Sequence, residues 1–163
     1  MRGLRFVSLA TLVVWIGGLI TLGAIVAPTT FAVVDAQQGE SGPMLAGLVF
    51  GAILARFHLV AYGAGALLLV SLAARRLLGP RPVHFGVRMG ILCVMLAATL
   101  YSGLVLTRSI QRAQVAIGAP VATLPDNDPR RAGFERQHRL SEALALVTIL
   151  GGLVLIAYEA VES

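Results

Sequence analysis

The 163-residue chain is 57% hydrophobic and 13% charged, with a mean hydropathy of +0.84. Soluble domains run nearer half apolar and a quarter charged, so the composition excludes an ordinary water-soluble domain and points to lipid. The net charge of +5 does not mark a nucleic-acid binder: the arginines lie in connections between apolar runs, and no basic stripe interleaves with aromatics.

The start, Met1-Arg2-Gly3-Leu4-Arg5 followed by an apolar stretch, imitates a signal peptide. That stretch continues to Ala27 with no small-x-small cleavage site after it, so it reads as an uncleaved first helix. A bilayer core takes about 20 apolar residues of helix. Four runs qualify: Phe6 to Ala27, closed or kinked by Pro28; Met44 to Leu78, interrupted by Arg56 and His58; Val87 to Thr107; and Leu140 to Tyr158. Between the last two, Pro120, Pro125 and Pro129 surround Asp126-Asn127-Asp128 and mark a loop. The expected fold is all-α integral membrane, a four-transmembrane-helix bundle forming a single domain over residues 1–163. Its helices are expected at about 4–28, 44–78, 86–108 and 134–160, the second of them kinked or extended.

The second run would span about 50 Å as helix, against a bilayer core of about 30 Å. Arg75-Arg76 marks one boundary, and counting back about 20 residues puts Arg56 and His58 at the other. His138 lies just before the fourth run, on that same side. Tyr62 falls one turn deeper than His58, and Ser141 and Glu142 one turn deeper than His138. The flanking arginines, Arg81 among them, are equal in number on the two sides. Arginines before the first helix and Asp35 and Glu40 after it favour cytoplasmic termini, with the histidine face outside. The expected location is a bacterial inner membrane. Small residues at four-residue spacing, Gly47/Gly51, Gly86/Gly90 and Gly23/Ala27, suit helix packing within the bundle or a homo-oligomer face.

Ionisable groups are costly in a membrane, so the two histidine clusters are the places to look for function. Glu135, His138 and Glu142 share one helix face. With His58 they could form a mononuclear transition-metal site for zinc, copper or iron. A di-iron centre would need a second Glu-x-x-His and two further glutamates, which the chain lacks. The plainer account is an interfacial cluster in which Glu135 and Glu142 favour the helix N-terminus. His58 and His138 could alternatively ligate haem between two helices. Arg56 suits an interfacial snorkelling role, and His84 sits in a short loop with Arg81 and Pro82. Cys93 is the only cysteine, so an intrachain disulfide or CxxC site is excluded. No hydrolase, Walker or Rossmann motif is present.

Trp15-Ile16-Gly17-Gly18, Ala27-Pro28-Thr29-Thr30-Phe31, the stretch from Gly39 to Gly51, and Phe134-Glu135-Arg136-Gln137-His138-Arg139-Leu140-Ser141 together resemble the transmembrane-protein-205-like family (domain of unknown function 4149). The resemblance implies a small four-helix membrane protein with no established biochemical activity. Animal members are associated with drug resistance and secretion, and more distant relatives resemble copper-resistance membrane proteins. It carries over Pro28, Phe31, His138 and Ser141 as pattern positions. The expectation is a non-enzymatic multi-pass protein that binds a metal ion or small solute at a polar face, in export or tolerance. That face comprises His58, Tyr62, Glu135, His138, Ser141 and Glu142. A haem-bearing redox protein and a structural subunit of a membrane complex are the alternatives.

Overall fold

The computed structural model describes residues 2–78 and 84–161. Arg81 and Pro82, and the side chains of Arg2 and Glu40, lie outside the described set. Four helices form the fold: α1 (Gly3–Gln38), α2 (Gly42–Leu78), α3 (Phe85–Ile117) and α4 (Pro129–Val161). Each contains a window apolar enough to cross a bilayer. Helix is the form a span must take, because it satisfies every backbone N–H and C=O within the segment. No strand occurs among the described residues.

All four helices outrun their apolar windows. At 33 to 37 residues each, they measure about 50–55 Å, well beyond a hydrocarbon core of about 30 Å. Falling hydropathy marks where a helix leaves lipid, and α3 continues as an amphipathic segment, Thr107–Ile117. Its Thr107 and Gln114 are buried, while Arg108 and Arg112 face outward. α2 is one uninterrupted helix from Gly42 to Leu78, the extended form rather than the kinked one.

Pro28 does not end α1. Proline lacks an N–H, and its ring presses on the carbonyl four residues earlier. A π turn at Leu22–Val26 directly precedes it and takes up that misfit. The helix then runs on to Gln38, and the chain reverses through Gly39, whose φ of 55° suits glycine. α3 carries a second π turn at Ser102–Leu106. There the Thr107 hydroxyl donates to the Ser102 carbonyl at 3.0 Å, reinforcing the Thr107 N–H bond to the same oxygen.

The loop between α3 and α4 is only residues 118–128. Asp128 caps α4 by accepting the Arg130 backbone N–H at 2.8 Å. Hydrogen bonds from the Arg130 guanidinium and then from that N–H hold the Asp128 carboxyl below the usual range. Arg131 ties the loop to the helix: it donates to the Leu124 carbonyl at 3.0 Å and pairs with Asp126 at 2.5 Å and Glu135 at 3.0 Å.

Sequential helices are antiparallel neighbours, and α4 returns to α1, closing a ring. The core lies in one half of the bundle, around Trp15, Ala61, Leu68, Leu92, Met95 and Leu155. Valines and leucines such as Val14, Leu59, Val70, Val94 and Leu150 point outward, as lipid contact requires. Cys93 is also outward-facing.

Beyond this core the helix ends meet in a buried ion cluster. Glu159 of α4, 5% exposed, pairs with Arg75 of α2 at 2.5 Å and Arg88 of α3 at 3.4 Å. Arg5 of α1 lies 3.7 Å from the same carboxylate and donates to the Glu159 backbone carbonyl. One arginine from each of the other three helices thus converges on the Glu159 carboxylate. Arg88 also stacks over Tyr158 at 5.3 Å. Removing one partner of a buried ion cluster typically costs about 3–5 kcal/mol, because the opposite charge stays buried. Glu159→Gln should therefore lower unfolding stability in detergent by roughly that amount. A denaturation midpoint equal to wild type would show that the shared carboxylate does not hold the helix ends.

Candidate functional site

The half of the bundle away from Glu159 holds a partly open cavity of about 500 Å³. Its inner end meets the core at Ala61, Ala98, Thr99 and Thr148. Phe31, Phe50, Phe57 and Phe134 supply much of the wall. Pro120, Val121 and Ala122 of the α3–α4 loop lie over it, in the segment that Arg131 secures. All four helices contribute.

Geometry explains why the cavity forms at this depth. Counted from the Glu159 end, the π turns of α1 and α3 begin, and His58 of α2 and Ser141 of α4 lie, about 17–20 residues along their helices, some 25–30 Å. Residues of both π turns, Leu22 and Gly23 on α1 and Ser102 on α3, line the cavity. A π turn widens a helix locally and is often found at functional sites.

His58 is 5% exposed, and its Nδ1 lies 2.8 Å from the Leu54 carbonyl. A carbonyl only accepts, so Nδ1 carries the hydrogen and Nε2 of the neutral ring is left as an acceptor. Tyr62 stands 6.0 Å away, ring to ring. Both side chains press on Gly103 in the π turn of α3, where a Cβ would collide with the Tyr62 hydroxyl and the His58 ring.

His138 and Glu142 are more than half exposed and stand at the mouth, with His138 Nε2 3.2 Å from Glu142 Oε1. The His138 ring stacks on Phe134 at 6.1 Å. Ser141 joins the lining beside them. His58, His138, Ser141 and Glu142 are therefore brought to one cavity. Glu135, Tyr62 and Arg56 are not part of its lining. Glu135 instead pairs with Arg131 at 3.0 Å and Arg139 at 3.5 Å, and Arg56 is exposed. Outside the site, exposed His84 precedes α3 in a left-handed conformation, with its ring 5.9 Å from Tyr158.

The four-residue metal set of His58, Glu135, His138 and Glu142 is not assembled. Among the described residues, no group of three or more His, Cys, Asp or Glu side chains is placed to hold a metal ion. The arginines of the polar helix start take Glu135 by i,i+4 pairing, a partnership that spacing from His138 alone does not reveal.

Several lining groups escape a reading of apolar runs. Gln111 and Gln114 of α3 extend onto α2 over Gly51 and Gly47, where a Cβ would clash with the amides. Gln114 also donates to the Met44 carbonyl at 3.2 Å. The Gly47/Gly51 pair therefore receives side-chain amides rather than a helix backbone. The available signal was the helical spacing of Thr107, Gln111 and Gln114. Gly86, Gly90 and Gly23 have no neighbour where a Cβ would be.

Gly103→Ala should destabilise the protein by about 1–3 kcal/mol through overpacking, whereas Gly23→Ala should leave stability within error. Paired denaturation curves check this, and equal behaviour of the two variants would contradict the packing described here.

No curated protein and no solved structure matches the chain. A family model described as a domain of unknown function (DUF4149) matches residues 10–119. The match takes in both π turns and His58, while His138 and Ser141 lie beyond it. By that match over most of its length, the chain belongs to the DUF4149 family, as a multi-pass membrane protein.

Proposed function

We propose that this protein binds a small, predominantly apolar solute in the cavity between its four helices, without catalysing a reaction on it. The carrying observation is that His58, His138, Ser141 and Glu142 line one largely apolar cavity of about 500 Å³. A mostly apolar cleft or cavity with a few convergent polar groups is the usual form of a small-molecule site. His58 Nε2 would accept a hydrogen bond from the solute, and the thin rim of His138 and Glu142 would orient its polar end.

The donor set does not favour a metal ion, because Glu135 is engaged by Arg131 and Arg139. The likeness to copper-resistance membrane proteins therefore supplies no ligand set here. A haem reading is favoured by one observation, that two imidazoles line the same cavity. It is opposed by Glu142, which already engages His138 Nε2. The cavity would open on the outer face of a bacterial inner membrane if the arginines before α1 keep the termini cytoplasmic. Four helices make a thin conduit, so a role in export or tolerance would call on a homo-oligomer.

Gly23 lines the cavity and has open space where a side chain would go. Organic extraction of purified protein followed by mass spectrometry should recover a bound small molecule from wild type and much less from Gly23→Leu. Equal recovery from both would sink the cavity reading. Metal content should be equally negligible in wild type and His138→Ala, and a Soret band in the visible spectrum would instead establish haem.

A further inference from the structure

The shape and charge of the cavity narrow its occupant, granted the solute-binding reading above. Its lining reaches along α2 from Pro43 to Ala61 and along α3 from Ala98 to Gln114, about 24–27 Å of helix. The cavity is thus a slot elongated along the bundle, a shape that suits one extended hydrocarbon chain.

The charges select the head group. Among the described residues no arginine lines the slot, and Glu142 is its only carboxylate. An anionic head would meet Glu142 with no arginine in the described lining beside it. Four of the six phenylalanines line the cavity, and aromatic faces attract ammonium groups while shielding them from water. Phe134 packs against His138 one turn from Glu142, so a ring and a carboxylate flank the same opening.

We propose that the slot takes a single-chain lipophilic cation, its hydrocarbon tail along the phenylalanine wall and its ammonium-type head at Glu142. The head would share the Glu142 carboxylate with His138 Nε2, now 3.2 Å away. His58 and Ser141 line the cavity at about the depth of Glu142 and carry no fixed charge.

Three probes of equal chain length separate charge from shape: decyltrimethylammonium, 1-decanol and decanoate. Binding to the full chain in detergent micelles is read by native mass spectrometry for wild type, Glu142→Gln and Gly23→Leu. Comparing variants for each probe cancels its partition into the micelle. Glu142→Gln should weaken the cation about five-fold, the worth of one charge contact near water, and leave 1-decanol unchanged. Gly23→Leu should weaken the cation and the alcohol alike. Both substitutions fall where no packing is lost, Glu142 being exposed and Gly23 facing open space. If Glu142→Gln leaves the cation unaffected, or decanoate binds more tightly than the cation, the charge assignment falls while the cavity reading stands. Should Gly23→Leu alter no probe, the cavity reading falls and this proposal with it.

Discussion

One buried carboxylate organises the bundle. Glu159 draws Arg5, Arg75 and Arg88 from the other three helices into a region where an isolated charge would be costly. Apolar packing against lipid gives little preference for one helix arrangement over another, because tails are as apolar as leucine. A shared ion cluster is directional and can choose. Next to it the core packs around a fully buried Trp15, and Gly65 admits the Leu96 side chain from α3. The helix ends are thereby closed at one side of the molecule.

The opposite half is built differently. Its helices are separated by side chains of mixed character, and amides of Gln111 and Gln114 fill the space over Gly51 and Gly47. Two π turns at matching depth widen α1 and α3 where closed core gives way to cavity. On α1 the turn relieves Pro28; on α3 it is bonded by Thr107 and packed by His58 and Tyr62. The short loop held by Arg131 then covers the far end. An elongated apolar cavity rimmed, among the described residues, by a single carboxylate is the result, and both functional proposals follow from that asymmetry.

Much of the candidate site's lining was legible in the chain. His58 and His138 stood out as polar interruptions of apolar runs, and their common depth followed from placing Arg75-Arg76 at a boundary. Ser141 and Glu142 came with His138 through helical spacing. Glu135 belonged to the same pattern on paper, yet its carboxylate is shared by Arg131 and Arg139. Periodicity says which residues share a face and not which neighbour each one selects. Arg75 was read as a boundary marker. Its partner Glu159, 84 residues away in sequence, emerged only from the packing. Gln111 and Gln114 were hidden because a polar stretch after an apolar run looks like a loop, although it continues the helix.

The sequence by itself determined the class: four apolar runs of membrane-spanning length can satisfy their backbones in lipid only as helices. It also determined the sidedness of the two histidine clusters, since depth follows from residue count along a helix of fixed rise. The tertiary structure decided everything that depends on rotation and pairing. It turned His58 and His138 toward one cavity, sent Glu135 to the arginines, carried α1 through Pro28 by a π turn, and joined the four helices at Glu159. A linear pattern gives the position of a side chain along its helix, but contact between helices depends on angles that only the packed bundle defines.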